Sequence, residues 1–193
     1  AAGLKPVAAG TDAAGRNEDV ENIRAASNLA LPLKVINPYC FKAAIAPHIA
    51  AAEEGITIEF ETIKRTLESA RQEADLLIIE GVGGFCVPLG VDRSSADLAI
   101  ALGLPVILVV GLRLGCINHA LLTVEAITAR GLKIAGWVAN RIDPAMSRFA
   151  ENLATLQTLI PAPLLGVVPH DAAGGAEAAA RHLQLPDATH FAP

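Results

Sequence analysis

The stretch Leu76-Leu77-Ile78-Ile79-Glu80-Gly81-Val82-Gly83-Gly84 constrains the fold more than any other part of this chain. Its branched apolar residues follow one another with no polar alternation. That pattern suits a strand buried on both faces, as in a parallel sheet. The run stops at Glu80 and then meets Gly81, Gly83 and Gly84. In an open α/β sheet, ligands bind outside the carboxyl ends of the strands. Glu80 is therefore expected at the mouth of a site, and the 81–84 backbone could approach a ligand without Cβ clashes. A tight turn with a solvated glutamate at its shoulder is the plainer alternative.

Strand and helix patterns alternate from Leu76 onward. Residues 105–110 read as another fully apolar strand ending at Gly111, residues 134–139 as a third, and Leu164–Val168 as the last. Helices are expected over 97–102, 118–129 (closed by Gly131), 144–159 and 172–182, with a loosely held tail from Pro186. Such alternation implies right-handed βαβ crossovers and a parallel sheet with helices on both faces. Upstream, residues 3–8 read as a short strand entering a turn, and 10–17 as a polar loop. A helix begins at Asn17 or Asp19 and runs through Leu29. Residues 37–41 form an irregular loop between breaks at Pro32 and Pro38. A second helix opens at Pro47 and ends at Gly55. A third, amphipathic helix covers 58–74, with Ile63, Leu67 and Ala70 on one face. The expectation is a single α/β domain over residues 1–193, mostly parallel, with helices on both sides of the sheet.

Composition narrows the function. The chain of 193 residues is 52% hydrophobic but only 4% aromatic, so Ala, Val, Leu and Ile must fill the interior. A net charge of −5 argues against a broad nucleic-acid footprint while leaving room for a local basic site. The longest apolar region, 102–112, is too short to span a bilayer and contains Gly and Pro. No secretory signal pattern is visible. Cys40, Cys86 and Cys116 form no close pair and leave one over, which fits reduced thiols in the cytoplasm. Cys86, in the glycine loop, is expected as a small apolar filler rather than a nucleophile.

Polar residues gather after the strands: Glu80, Arg113, Asn140 and His170. Lys5 is unusual in an apolar start and reads either as a site cation or as a solvated residue near the terminus. Asp19, at a helix start, suits the helix dipole as well as a site. Asn118 either caps a helix or serves a site, and His119 either lies on the helix surface or joins it. Asn140 caps, turns, or reads a base edge through its amide. No HExxH, clustered Cys/His spacing or GxSxG occurs, so neither a zinc centre nor a serine-hydrolase elbow is expected.

Together these pieces resemble the dethiobiotin synthetase family. Lys5-Pro6-Val7-Ala8-Ala9-Gly10 is similar to its lysine-bearing segment, and Arg16-Asn17-Glu18-Asp19 to its acidic element. Asn37-Pro38-Tyr39 with Pro47-His48 resembles its substrate-side loop. Glu80-Gly81-Val82-Gly83-Gly84, then Val87-Pro88-Leu89, resembles its Walker-B-like glycine loop. Leu114-Gly115-Cys116-Ile117-Asn118-His119-Ala120-Leu121 is the most specific match. Gly136-Trp137-Val138-Ala139-Asn140 and Pro161-Ala162-Pro163-Leu164-Leu165-Gly166 support it. These segments run in family order over nearly the whole chain.

The resemblance implies a P-loop NTPase-like fold, a cytoplasmic homodimer, and ATP-dependent conversion of 7,8-diaminononanoate and CO2 into dethiobiotin in biotin synthesis. It implies Lys5 as the catalytic cation. Asp19 and Glu80 would hold Mg2+, a hard cation that takes oxygen ligands. Gly81, Val82, Gly83, Asn140, Arg141, Pro169, His170 and Asp171 would lie on the nucleotide side. Ala9, Gly83, Leu114, Gly115 and Asn118 would meet the diamine substrate, the 114–118 segment across the dimer interface. Two departures stand out. Ala9 occupies a position where many members carry a substrate-binding serine. No GxxxxGK[ST] occurs, so the family's first strand and phosphate loop are expected to be absent, and this chain alone is expected to be inactive. Two other readings use the same sheet: a partition or septum-placement ATPase switch, and a degenerate, binding-only relative.

Overall fold

The computed structural model describes residues 1–170 and 175–186. The chain divides into two compact units, Ala1–Leu102 and Gly103–Pro193.

In the first unit, Lys5-Pro6 splits the expected opening strand into β1 (Ala2–Leu4) and β2 (Val7–Ala9). β1 pairs in parallel with β4 (Leu77–Ile79), Leu4 beside Ile79. β2 pairs in parallel with β3 (Tyr39–Phe41), Ala9 beside Phe41. The segment expected as an irregular loop therefore contains a strand. The short helix α2 (Leu33–Ile36), set after Pro32, ends at Asn37, and the chain leaves it already extended. Helix α1 (Glu18–Ala26) is capped by Asn17, whose Oδ1 accepts from the Val20 N–H. It packs on β1, where a Cβ on Gly3 would stand 2.6 Å from Ile23 Cγ2. Glycine at that position is what lets helix and strand approach. Helix α3 (Pro47–Glu53) starts on Pro47 as expected. Helix α4 (Phe60–Arg71) buries Ile63, Leu67 and Ala70, the predicted face. Such burial is worth about 1.5–3 kcal/mol for each large aliphatic side chain. Val7, Phe41, Ile58, Phe60, Ile63 and Leu89 form the centre of this unit's core. Helix α5 (Ser95–Leu102) closes it.

β4 does not fulfil the expectation of burial on both faces. Leu77 and Ile79 are partly buried and Ile78 is 53% exposed. An apolar run reports hydrophobic content but not how many neighbours a strand has, and β4 pairs only with β1 among the described strands.

The second unit is built on a parallel sheet of order β5-β6-β7: β5 (Val106–Gly111), β6 (Ile134–Asn140) and β7 (Leu164–Val168). β6 is central and nearly all buried, with Trp137 inaccessible. Among the described strands β5 pairs only with β6, and it leaves Val109 60% exposed, so a fully apolar sequence does not make the strand fully buried. Helix α6 (Cys116–Thr128) begins after Gly115, at φ +91°, two residues before the expected start, so Asn118 lies inside the helix rather than capping it. Helix α7 (Phe149–Leu159) starts later than expected. The 144–148 stretch is a turn ending at Arg148, whose φ of +56° is left-handed. Helix α8 (Gly175–Ala180) covers the middle of the predicted 172–182 helix, whose first residues lie outside the described ones. Leu112, Val124, Trp137, Leu156 and Ile160 centre this unit's core. No helix among the described residues is long and apolar enough to cross a membrane.

Candidate active site

Parallel register brings Lys5 and Glu80 together. Leu4 and Ile79 end their strands side by side, so the next residues emerge at the same rim. The Glu80 N–H donates to the Leu4 carbonyl at 2.8 Å, carrying the pairing one residue further. Lys5 is 4% exposed, and its Nζ stands 2.5 Å from Glu80 Oε1 and 3.1 Å from Asp19 Oδ2. Both carboxylates are about half exposed. A buried ammonium is costly unless paired, and two carboxylates satisfy it here. The solvated reading of Lys5 is thereby excluded.

Lys5 is fixed through its backbone as well. Its N–H donates to the Ile36 carbonyl at 2.9 Å. Its carbonyl accepts from Asn37 Nδ2 at 2.6 Å, and the same amide donates to the Tyr39 carbonyl at 2.9 Å. The Tyr39 hydroxyl accepts from the Glu59 N–H at the start of α4. Asn37 and Tyr39, matched above to a substrate-side loop, thus hold the lysine segment in place.

Asp19 is set by the 10–17 loop. Asn17 donates through Nδ2 to the Gly10 carbonyl at 2.7 Å while capping α1. Asp12 Oδ1 accepts from the Ala14 and Arg16 N–H groups, and Oδ2 from the Arg16 guanidinium at 3.0 and 3.1 Å. The Arg16 N–H holds the Asp12 carboxyl below its ordinary pKa; burial opposes this, and the Arg16 guanidinium and the Ala14 N–H add to it. Sequence reading missed Asp12, although the spacing Asp12-x-Ala14-x-Arg16 with Gly15 between is a turn signal.

The glycine loop follows Glu80. Gly81, Gly83 and Gly84 are exposed, while Val82 packs against the unit's core. Gly83 has φ +67°, and a Cβ there would lie 3.1 Å from Val87 Cγ2. Ser95, also missed, pins the loop: its Oγ accepts from the Val87 N–H at 2.9 Å and lies 2.6 Å from the Phe85 carbonyl. Ser94 and Asp97 form a reciprocal cap at the start of α5. Cys86 is exposed, which corrects its reading as an interior filler. The loop turns outward there, so the side chain has no core to fill. Ala9 ends β2 and packs at the margin of the core.

The second unit carries the other expected residues. Asn140 ends β6, in register with Gly111 on one side and Val168 on the other. Arg141 follows Asn140, and Pro169 and His170 follow Val168, so these four share the carboxyl edge of one sheet. Leu114, Gly115 and Asn118 lie at the start of α6, just beyond β5, with Leu114 93% exposed. Asp171 lies outside the described residues. The structure therefore assembles Lys5, Asp19, Glu80 and the glycine loop in one unit, and Asn140, Arg141, Pro169 and His170 in the other.

Asp19 and Glu80 meet the Lys5 ammonium through Oδ2 and Oε1, and both half-exposed carboxylates offer hard oxygen donors. No third acid, histidine or cysteine among the described residues joins them in a metal-binding cluster. Two carboxylates fit a magnesium ion, which is commonly held by one or two carboxylates with phosphate oxygens and water completing its shell.

The family model described as an AAA domain matches residues 1–178. An ATP-dependent dethiobiotin synthetase from Aromatoleum aromaticum is 60% identical over 189 residues, covering 96% of this chain and 84% of the relative. Among solved structures, the MinC:MinD cell division protein complex of Aquifex aeolicus matches with a TM-score of 0.52. That match covers 93% of this chain and 73% of the other, at 14% identity. At that identity the likeness concerns the fold alone, a P-loop NTPase-like α/β arrangement. Sequence identity over almost the whole length carries the closer assignment, and the chain belongs to the ATP-dependent dethiobiotin synthetase family.

Proposed function

We propose that this protein is an ATP-dependent ligase of biotin biosynthesis that converts 7,8-diaminononanoate and CO2 into dethiobiotin. The observation that carries this reading is Lys5, buried at the carboxyl ends of paired strands, between Asp19 and Glu80 and beside a glycine loop. Family membership supplies the reaction to which that geometry is fitted.

One amine of the diamine adds to CO2 and gives a carbamate. A carbamate oxygen attacks the γ-phosphorus of ATP and ADP leaves, giving a carbamic–phosphoric mixed anhydride. The second amine attacks the carbonyl carbon, the C–O bond breaks, and phosphate departs as the ureido ring closes. Both intermediates are anionic. Lys5, a positioned ammonium in a partly dehydrated setting, stabilises charge that develops on the carbamate and the transferring phosphoryl group. Asp19 and Glu80 hold Lys5 in place and would hold Mg2+. The ion would neutralise phosphate charge and orient the γ-phosphoryl group.

Gly81, Val82 and Gly83 bring backbone N–H groups towards substrate and nucleotide. Ala9 and Gly83 belong to the diamine side, with one serine hydroxyl fewer at Ala9, and Leu114, Gly115 and Asn118 meet the diamine across the dimer interface. Asn140 reads the base, and Arg141, Pro169, His170 and Asp171 belong to the same nucleotide side. The enzyme works as a homodimer in the cytoplasm. The exposed Leu114, in the turn before α6, and the exposed Leu122, on α6, support an apolar partner surface. A single α/β domain over residues 1–193 is part of the same proposal.

The test is dethiobiotin formation by the purified full-length protein with ATP, Mg2+, CO2 and the diamine, omitting one at a time. Product that requires all four supports the reading. ATP turnover that ignores the diamine and responds instead to DNA or a protein partner overturns it.

A further inference from the structure

The turn after β6 is organised by one side chain. The Arg141 N–H donates to the Val168 carbonyl at 2.9 Å and extends the β6–β7 ladder one residue beyond Asn140. Its guanidinium donates from Nη2 to the Pro144 carbonyl at 2.8 Å. The guanidinium carbon lies 4.8 Å from the centre of the Phe149 ring, the first residue of α7. Arg141 Nε is buried and has no hydrogen-bond partner among the described residues. A planar guanidinium can stack and donate in its own plane at once, which an ammonium cannot do. The rest of the turn is fixed as well. Asp143 Oδ1 accepts from the Ala145 N–H, and the Asn140 carbonyl accepts from the Leu112 N–H at 2.7 Å.

We infer that Arg141 is a positioning residue for recognition of the nucleotide base. It braces residues 141–149 against the end of β6, so that Asn140 presents its amide in one orientation. This rests on the reading of Asn140 as the base contact, because an amide can pair in bidentate fashion with the N6 and N7 edge of adenine. The guanidinium already faces a carbonyl and a ring. Its effect therefore reaches the base through the frame and not through its charge. Losing the brace weakens ATP binding and the choice of adenine over guanine, while the phosphoryl chemistry around Lys5 is left intact.

Steady-state kinetics of the purified protein with ATP and with GTP test this in three variants: R141K, F149L and N140A. R141K keeps the charge and loses the planar stack. F149L removes the ring and no charge. The expected result is that R141K and F149L each raise the KM for ATP about five- to tenfold, keep kcat within about twofold, and lower the ATP-over-GTP preference. A raised KM in R141K with wild-type behaviour in F149L would mean a direct contact to nucleotide and would overturn the inference. So would wild-type KM and preference in both, even with lowered melting temperatures, since the brace would then be structural only. If R141K does not fold, R141Q takes its place under the same criteria. The underlying reading of Asn140 is judged separately: N140A with unchanged KM and base preference removes it, whatever the Arg141 variants do.

Discussion

The Lys5 ammonium lies 2.5 Å from Glu80 Oε1, although 75 positions separate the two in the chain. Parallel pairing of Leu4 with Ile79 makes the contact possible, and Asp19 at the second position of α1 completes it. One cation between two half-exposed carboxylates is the chemical centre of the first unit. Replacing Lys5 with methionine keeps most of the buried volume and removes the charge. Loss of one positioned charge-stabilising group is expected to lower kcat by about 10²–10³. Steady-state formation of dethiobiotin at saturating substrates measures this. A K5M variant whose kcat stays within about tenfold of the parent would show that the ammonium does not serve the reaction.

Asn37 is buried and joins the Lys5 and Tyr39 carbonyls through one amide. Substitution by alanine leaves those acceptors without their partner in a site closed to water. The expected loss of stability is about 1–3 kcal/mol, read from the denaturation midpoint at unchanged slope. A midpoint equal to that of the parent would mean that water replaces the amide freely.

Gly83 and Gly84 are neighbours with different constraints. Gly83 has positive φ and little room beside Val87, so alanine there is expected to cost about 1–2 kcal/mol of stability. Gly84 would place a Cβ in open space, so G84A should change stability by less than about 0.5 kcal/mol. G84A should nevertheless reduce kcat/KM if the loop backbone approaches a ligand. Unfolding and activity measured on the same samples separate the two effects. Parental activity in G84A would remove close backbone approach from the account.

Asp12 carries a pH prediction. The Arg16 N–H favours its charged form most, and the Arg16 guanidinium adds to this. Its folded pKa is therefore below the ordinary aspartate value. The contribution to stability is fully present above the ordinary value and is lost as pH falls through the lowered one. An NMR titration of the Asp12 carboxyl should give a midpoint below that of a model aspartate, and R16A should move it upward. A midpoint at or above the ordinary value would contradict the turn described for residues 12–16.

Much of the fold was legible because periodicity and punctuation agree. Pro47 opened α3, the Ile63, Leu67 and Ala70 stripe marked the buried face of α4, and Leu164–Val168 is β7. What sequence could not supply is how many edges of an apolar strand find partners. Ile78 and Val109 lie in continuous apolar runs, yet both are exposed. β3 was hidden because Asn37 and Pro38 signal a break, while pairing with β2 is a tertiary choice. The start of α7 was misjudged because Arg148 takes a left-handed conformation without being glycine. In the site, Glu80 was visible as an acid at a strand end. Lys5 stayed ambiguous because burial and its carboxylate partners depend on register. Asp12, Asn37, Ser95 and the bracing role of Arg141 act through contacts that spacing along the chain does not encode.

The most direct test of the central claim follows oxygen. With [18O]CO2, ATP and 7,8-diaminononanoate, the phosphate released should carry one 18O per dethiobiotin formed, because a carbamate oxygen attacks the γ-phosphorus and leaves with it. Phosphate without label, formed together with dethiobiotin that carries 18O in its ureido carbonyl, would mean that no carbamate is phosphorylated and would contradict the account.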